Sequence, residues 1–386
     1  MYIFLLSLIY LAFISLGLPD SLLGSAWPTI YPAMEVDISA MGFVTMVISG
    51  STILSSLLSE RMVSRFGTRA VVVVSVLLTA LALFGFSTVT AFWMFLLWAI
   101  PYGLGAGAID AALNNYVALH YSSRHMSWLH CFWGVGTIIS PSIMSYALSN
   151  GSWALGYRIV AVLQLMIGLI LLLTLPVWNI HHSVAEESRQ VKPLGIRGAL
   201  KIPGVASMLL GFFCYCAAES TVMQWASSYL VEVRHISAET GAALGGLFYF
   251  GMTAGRFVSG FVTNGLGDQK MIRLGTIIAL LGVLLLVLPM DSNALRFAGF
   301  IIIGLGCAPI YPSIIHATPA SFGQENSQAI IGIQMAFAYI GSTFMPPLFG
   351  LIAQYISMKL LAAYVAVFLL TMPMLLHRSH RLAAKT

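Results

Sequence analysis

Charge is what this chain has least of. Of its 386 residues, 18 are Lys or Arg and 13 are Asp or Glu, 8% in all, where a soluble domain carries roughly a quarter. With 59% hydrophobic residues and a mean hydropathy of +0.91, most of the chain must face an apolar solvent, which excludes a water-soluble globular fold. Cysteine is scarce too. Cys131, Cys214, Cys216 and Cys307 all lie in apolar stretches and none is in a CxxC spacing, which excludes a disulfide framework and points to free buried thiols. The chain has no HxxxxD, GxSxG, HExxH or Walker pattern, and His120, His130 and His316 are not at ligand spacing. An enzyme of those classes is therefore not expected, nor is a cofactor or a metal. The opening "MYIFLLSLIYLAFISLGL" has no basic region and no small-residue cleavage site, so it reads as a first membrane helix rather than a signal peptide.

What the chain does have is apolar stretches of spanning length, about 20 residues each. Breaks of charge, Gly, Pro and Asn give twelve of them, near 3–31, 39–63, 68–87, 91–119, 125–148, 156–177, 203–231, 238–263, 270–288, 293–316, 326–352 and 358–377. The longest polar interruption, 179–201, falls between the sixth and the seventh. The expected organisation is a six-helix half at 1–178, a cytoplasmic linker at 179–202 and a second six-helix half at 203–386. With both termini placed in the cytoplasm, thirteen basic residues fall inside and four outside, and Arg256 lies within a span. The bias follows the positive-inside rule. It also accounts for the net charge of +5 and the pI of about 9.0 without a nucleic-acid partner.

The two halves resemble one another. "PDS" at 19–21 answers "AES" at 218–220, an offset of 199. "ERMVSRFGTR" at 60–69 lies opposite "GFVTNGLGDQ" at 260–269, an offset of 200 that superposes Gly67 on Gly267. "GLGAGAID" at 103–110 matches "GLGCAPIY" at 304–311, an offset of 201. "HCFWGVGTIISP" at 130–141 matches "MAFAYIGSTFMP" at 335–346, an offset of 205. Four pairings in order, with slowly growing offset, indicate a parallel repeat. Twelve spans, a basic central loop and Gly-anchored basic loops after the second and eighth spans resemble the major facilitator superfamily. The family's loop pattern is partly kept: Arg65, Gly67 and Arg69 stand in place, with Glu60 and Ser64 at its Gly and Asp positions. The second copy keeps Gly260, Gly267 and Lys270, with Asn264 for the Asp. Within that superfamily, "AIDAALNNYV" in span four and "LHCFWGVGTIISP" in span five resemble the fucose/proton symporters and their glucose-transporting relatives. The resemblance implies a coupling carboxylate at Asp110, a sugar-contacting amide at Asn114 and a first-span carboxylate at Asp20. His130 and Trp133 replace residues of that pattern, so the sugar's identity does not carry over.

The residues themselves point to the same places. Asp20, Asp110, Glu219 and Arg256 are the formally charged residues well inside spans, and a charged group at a helix centre costs roughly 2.5–3.5 kcal/mol on insertion scales. A buried carboxylate can avoid that cost by taking a proton, so Asp20, Asp110 and Glu219 are candidates for proton coupling. The readings left beside coupling are structural: Asp20 could cap a helix broken by Gly17, Pro19 and Gly24, and Glu219 could bond a hydroxyl. Asn114 shares the helix face of Asp110 four residues on. His130 heads a polar face with Trp133 and Thr137, and Gln334 does so with Ser342. Asn114, His130, Trp133, Gln334, Tyr311 and Tyr339 are the candidate substrate contacts, Trp27 and Trp225 being further aromatic platforms. Arg65, Arg69 and Arg256 are candidate gate or structural charges. Gly134–Gly136–Pro141 and Gly341–Pro346–Pro347 mark bend-prone stretches.

The expectation is an all-α integral membrane protein of twelve transmembrane helices in two six-helix repeats, both termini cytoplasmic, sited in an inner or plasma membrane. It works as a monomer among lipid, without nucleic acid, and moves a small neutral, sugar-like solute by alternating access coupled to protons. A proton-driven exporter, a sodium-coupled sugar carrier and a transport-dead sensor all remain open from the residues alone.

Overall fold

The structure is a computed structural model that describes residues 2–37, 40–181, 194–236, 247–288 and 293–384. Among these residues it is helical, with no strand. In chain order the helices are α1 (Tyr2–Gly17), α2 (Leu22–Ala33), α3 (Met41–Phe66), α4 (Thr68–Phe86), α5 (Phe92–His120), α6 (Ser123–Asn150), α7 (Trp153–Leu173), α8 (Gly195–Lys201), α9 (Val205–Arg234) and α10 (Leu247–Leu266). They continue as α11 (Asp268–Val287), α12 (Asn293–Cys307), α13 (Ile310–His316), α14 (Thr318–Phe322), α15 (Ser327–Tyr355) and α16 (Leu361–Ala383). Short 3-10 turns lie at Leu175–His181 and Met358–Leu360. Eleven candidate spans among the described residues are long and apolar enough to cross a membrane. The expected eighth span is seen as α10. Its first part, 238–246, lies outside the described residues, as do Ser39 at the start of the second span and 182–193 of the expected linker.

Two expected spans are interrupted. The first divides at 18–21, where Pro19 can donate no amide hydrogen to a continuing ladder; the tenth divides at Ala308–Pro309 for the same reason. Other prolines are absorbed. Pro141 lies inside α6, and Pro346 and Pro347 inside α15, so the bend-prone stretches form unbroken helix.

The chain groups into two compact units, one of Met1–Tyr116 with Leu129–Gly195 and the other of Val117–Trp128 with Ile196–Thr386. The core of the first unit is aromatic. Phe86 lies 5.5 Å from both Phe95 and Tyr157, and Phe95 lies 5.6 Å from Trp153, each such pair adding about 0.5–1.5 kcal/mol beyond burial. Trp27 joins this core against Phe92 and is 3% exposed, so it packs instead of offering a platform.

The repeat read from the sequence recurs in the backbone. Gly67 has φ 79° and ψ 155°, and Gly267 has φ 78° and ψ 158°, a left-handed φ that favours glycine. Each donates its N–H at 2.8 Å to the residue four before it, Val63 or Thr263. The helix crossings repeat as well. In the first unit a Cβ on Gly103 would meet Ile48 O at 2.4 Å, and in the second a Cβ on Gly304 would meet Phe248 O at 2.2 Å. Gly136 faces Ile14 O at 2.5 Å, and Gly341 faces Phe213 O at 2.8 Å. Gly103 and Gly304 differ by 201, Ile48 and Phe248 by 200, Gly136 and Gly341 by 205, and Ile14 and Phe213 by 199. These are the offsets of the sequence pairings. In a bilayer, where close backbone packing drives helix association, the same contacts have been kept twice.

Candidate functional site

In the first unit the break after α1 sets Asp20 in a turn, held by Asp20 N–H to Gly17 O at 3.3 Å and Leu22 N–H to Pro19 O at 3.1 Å. Asp20 is exposed as a residue, and its carboxylate accepts two bonds. Trp133 Nε1 donates to Oδ2 at 2.8 Å and Tyr102 OH to Oδ1 at 3.1 Å. Ser21 Oγ, next along, donates to Thr137 O on α6 at 2.8 Å. A Cβ on Gly17 would lie 2.1 Å from Trp133 O, so the absence of a side chain at Gly17 is what lets α1 approach α6 closely enough for the Asp20–Trp133 bond. Gly17→Ala should therefore cost about 1–3 kcal/mol, as overpacking usually does. Unfolding curves in detergent measure it, and an unchanged curve would mean the crossing yields freely.

Asp110 lies on α5, 5% exposed, with Asn114 fully buried one turn on. Asn114 Nδ2 donates to Asp110 Oδ1 at 2.7 Å and to Asp110 O at 3.0 Å, and Asn114 Oδ1 meets His130 Nε2 at 3.1 Å. Two acceptors on the amide nitrogen fix its orientation, since a flip would set oxygen against the Asp110 carbonyl. Asn114 therefore offers His130 an oxygen, and His130 Nε2 must carry the proton between them. Phe13 packs edge-on against the imidazole at 5.4 Å. The structure thus brings Asp110, Asn114 and His130 into one hydrogen-bonded chain and Asp20 with Trp133 into another.

In the second unit Glu219 on α9 is paired with Arg256 of α10, Nη2 to Oε1 3.2 Å, and both are buried. Tyr215 OH donates to Cys307 O at 2.9 Å, and Tyr311 packs on Phe212 and Tyr215 and donates to Met335 Sδ at 3.3 Å. Asp20 and Glu219 answer each other in the repeat yet sit differently: Asp20 is held by neutral donors, Glu219 by a guanidinium. Gln334, fully buried on α15, accepts from Thr318 Oγ1 at 3.1 Å, while its Nε2 has no hydrogen-bond partner among the described residues. A buried donor left so costs about 1–3 kcal/mol, a cost that an incoming acceptor would relieve. Tyr339 is half-buried, its carbonyl accepting from Ser342 Oγ at 3.3 Å. Trp225 spends its Nε1 hydrogen on Pro346 O at 2.9 Å.

The sequence model of the Major Facilitator Superfamily matches residues 9–293 and again 209–384. The chain belongs to that superfamily. Bypass of stop codon protein 6 of Saccharomyces cerevisiae is 23% identical over 93% of this chain and 79% of its own length. An uncharacterized MFS-type transporter of Yersinia pestis is 25% identical over 90% of this chain and 89% of its own. Among solved structures, the E. coli fucose:proton symporter FucP superposes with a TM-score of 0.80 over 98% of this chain and 99% of that one. At 15% identity this likeness speaks for the fold. As a superfamily member the chain is a transporter of small solutes, not an enzyme, and a multi-pass membrane protein.

Arg65 is exposed and lies over the Phe66 ring at 5.4 Å; Arg69 is half-buried in the first turn of α4. Glu60, standing where the pattern has glycine, accepts the backbone N–H of Leu194 at 2.6 Å and of Gly195 at 2.9 Å, so the change supplies an anchor for the chain leading into α8. Sequence reading missed a polar cluster in the second unit. Asp268 accepts from Ser123 Oγ and, at 2.7 Å, from His316 Nδ1, while His316 Nε2 donates to Tyr121 O at 3.1 Å. Both neighbours of the ring are acceptors, so His316 serves the two of them only as an imidazolium. Beside it Arg124 Nε donates to Gly260 O at 3.1 Å and Asn264 Oδ1 accepts the Arg124 N–H at 3.2 Å. The available signal was Asp268 itself, the single acid in the second copy of the basic loop.

Proposed function

We propose that this transporter takes up a small neutral, sugar-like solute together with protons, by alternating access of two six-helix halves, with both termini in the cytoplasm. The observation that carries the reading is the set of partners held by the charges within the spans. Arg256 is engaged by Glu219, which leaves no site prepared for an anionic solute on that residue. Asp20 is held by a tryptophan N–H and a tyrosine O–H, neutral donors that serve the ionised carboxylate without fixing it in that form. In this reading Asp20 and Asp110 exchange protons, and Glu219 takes part when its pair with Arg256 opens. Asn114 positions His130; the candidate solute contacts are His130 and Trp133 in the first unit and Gln334, Tyr311 and Tyr339 in the second.

The test is solute-induced stabilisation of the purified protein across neutral sugars, hydrophobic cations and anions, at pH 5.5 and 7.5, with and without sodium. A solute at 100 times its Kd adds about 2.7 kcal/mol. One hexose or pentose should give such a shift, altered by pH and not by sodium, and Gln334→Ala should weaken it. Stabilisation by hydrophobic cations alone would make the protein an exporter, and a sodium-dependent sugar shift would replace the proton as the coupled ion.

A further inference from the structure

The second unit holds a cavity of about 250 Å³ that meets the candidate residues described above only through Thr318, the partner of Gln334. It lies where α11 begins and α16 ends, so it sits at one end of the spans rather than at their middle. Its floor is mostly apolar: Ile314, Phe322 and Met208 are buried there, with Leu376 and Pro373 partly so, and Thr318 and Ser379 are the buried hydroxyls among them. Its rim is polar and basic. Arg273, His377, His380 and Gln269 line it and are all exposed, and no acidic residue does. Asp268, the neighbouring acid in the chain, is already bonded to His316 and Ser123. Lys270, Arg378 and Arg381 belong to the same two helix ends.

A basic rim over an apolar floor suits an anionic amphiphile, and two further features say which kind. The volume falls below the roughly 300–1,000 Å³ of sites that enclose a whole small molecule, so the occupant extends beyond the cavity. From Arg273 the same face of α11 continues through Ile277 and Leu281, 57% and 53% exposed. From His377 the face of α16 runs back through Leu370 and Val367, 53% and 61% exposed. Residues three or four apart share a helix face, so two apolar tracks lead away from the basic rim toward the middle of the spans. We propose that this cavity binds an anionic phospholipid, with the phosphate on Arg273, His377 and His380 and an acyl chain along α11 and α16. Basic pockets between spans at a membrane surface hold acidic headgroups in this way.

Native mass spectrometry of the full-length protein in neutral detergent tests it, with dioleoyl phosphatidylglycerol, dioleoyl phosphatidylcholine, glycerol phosphate and inorganic phosphate as probes. Phosphatidylglycerol should be retained over phosphatidylcholine. Arg273→Ala should weaken it about fivefold, the effect of one basic residue near a charged membrane surface, and His377→Ala/His380→Ala should weaken it further. Arg61→Ala, an exposed cation of the other unit, should leave it unchanged. If Arg273→Ala does not fold, Arg273→Gln makes the same measurement with the side-chain length kept. Equal retention of the two lipids, or equal loss in Arg61→Ala, would overturn the proposal. Competition by glycerol phosphate or inorganic phosphate at the lipid's own concentration would also overturn it, in favour of a soluble anion.

Discussion

An Asp110→Asn variant is expected to bind and exchange solute while failing to accumulate it when the outside is acidified. The reasoning begins at Asn114, whose amide nitrogen is held by Asp110 Oδ1 and O together. An asparagine at 110 keeps an oxygen in place for that nitrogen, so the path through Asn114 to His130 survives in shape. What it loses is the capacity to gain and release a proton. Binding should therefore remain near that of the parent, and counterflow between preloaded vesicles should continue. Uptake under an imposed pH difference should stop at equal concentrations on both sides. Proteoliposome uptake of the solute found in the stabilisation panel reads this directly. Full accumulation by Asp110→Asn would remove Asp110 from the coupling machinery and leave Asp20 as the carboxylate to examine. Loss of binding as well would make the carboxylate a structural part of the solute site.

The second large effect concerns stability. Arg256→Met leaves the Glu219 carboxylate, 8% exposed, without its guanidinium. Removing one partner of a buried ion pair costs about 3–5 kcal/mol, because the charge left behind is neither hydrated nor balanced. Glu219→Gln removes the carboxylate that balances Arg256, whereas Glu219→Gln combined with Arg256→Met removes both charges and should recover most of the loss. A double-mutant cycle from denaturation in detergent isolates the coupling. Singles that unfold no sooner than the double would show that the 3.2 Å contact contributes nothing net. A large coupling would mean that any role of Glu219 in proton transfer begins with parting it from Arg256.

Much of this arrangement could be read before any coordinates. The twelve stretches were legible because a bilayer allows few solutions: each backbone polar group must be satisfied within its own helix, and apolar length reports that directly. The pairing of Gly103 with Gly304 and of Gly136 with Gly341 was legible because a duplicated contact leaves a duplicated residue. So was the pairing of Asp110 with Asn114, since one helical turn separates them. The bond from Trp133 to Asp20 could not be read, because it spans 113 residues and depends on how closely Gly17 lets two helices approach. The Glu219–Arg256 pair was half legible. Arg256 read as a structural charge for a carboxylate or a helix C-terminus, and with three carboxylates in the spans spacing alone could not choose a partner. His316 gave no sign, as its meaning comes from Asp268 and Tyr121, both distant in sequence.

The glycine crossings have a mechanical side. Where α5 meets α3 at Gly103, the missing side chain lets α5 lie against the Ile48 carbonyl and the Ser51 Cβ, and Ser55 and Ser56 of α3 donate to Leu104 O and Gly107 O beside it. A tilt of one helix on the other about this close contact would displace few atoms near it and more with distance along the helix. α5 extends seventeen residues beyond Gly103 to His120, an arm of about 26 Å at 1.5 Å per residue, so a small tilt at the pivot becomes a larger sweep at the tip. Asp110 rides seven residues out along that arm, about 10 Å from the pivot, and any swing of the helix carries the carboxylate with it.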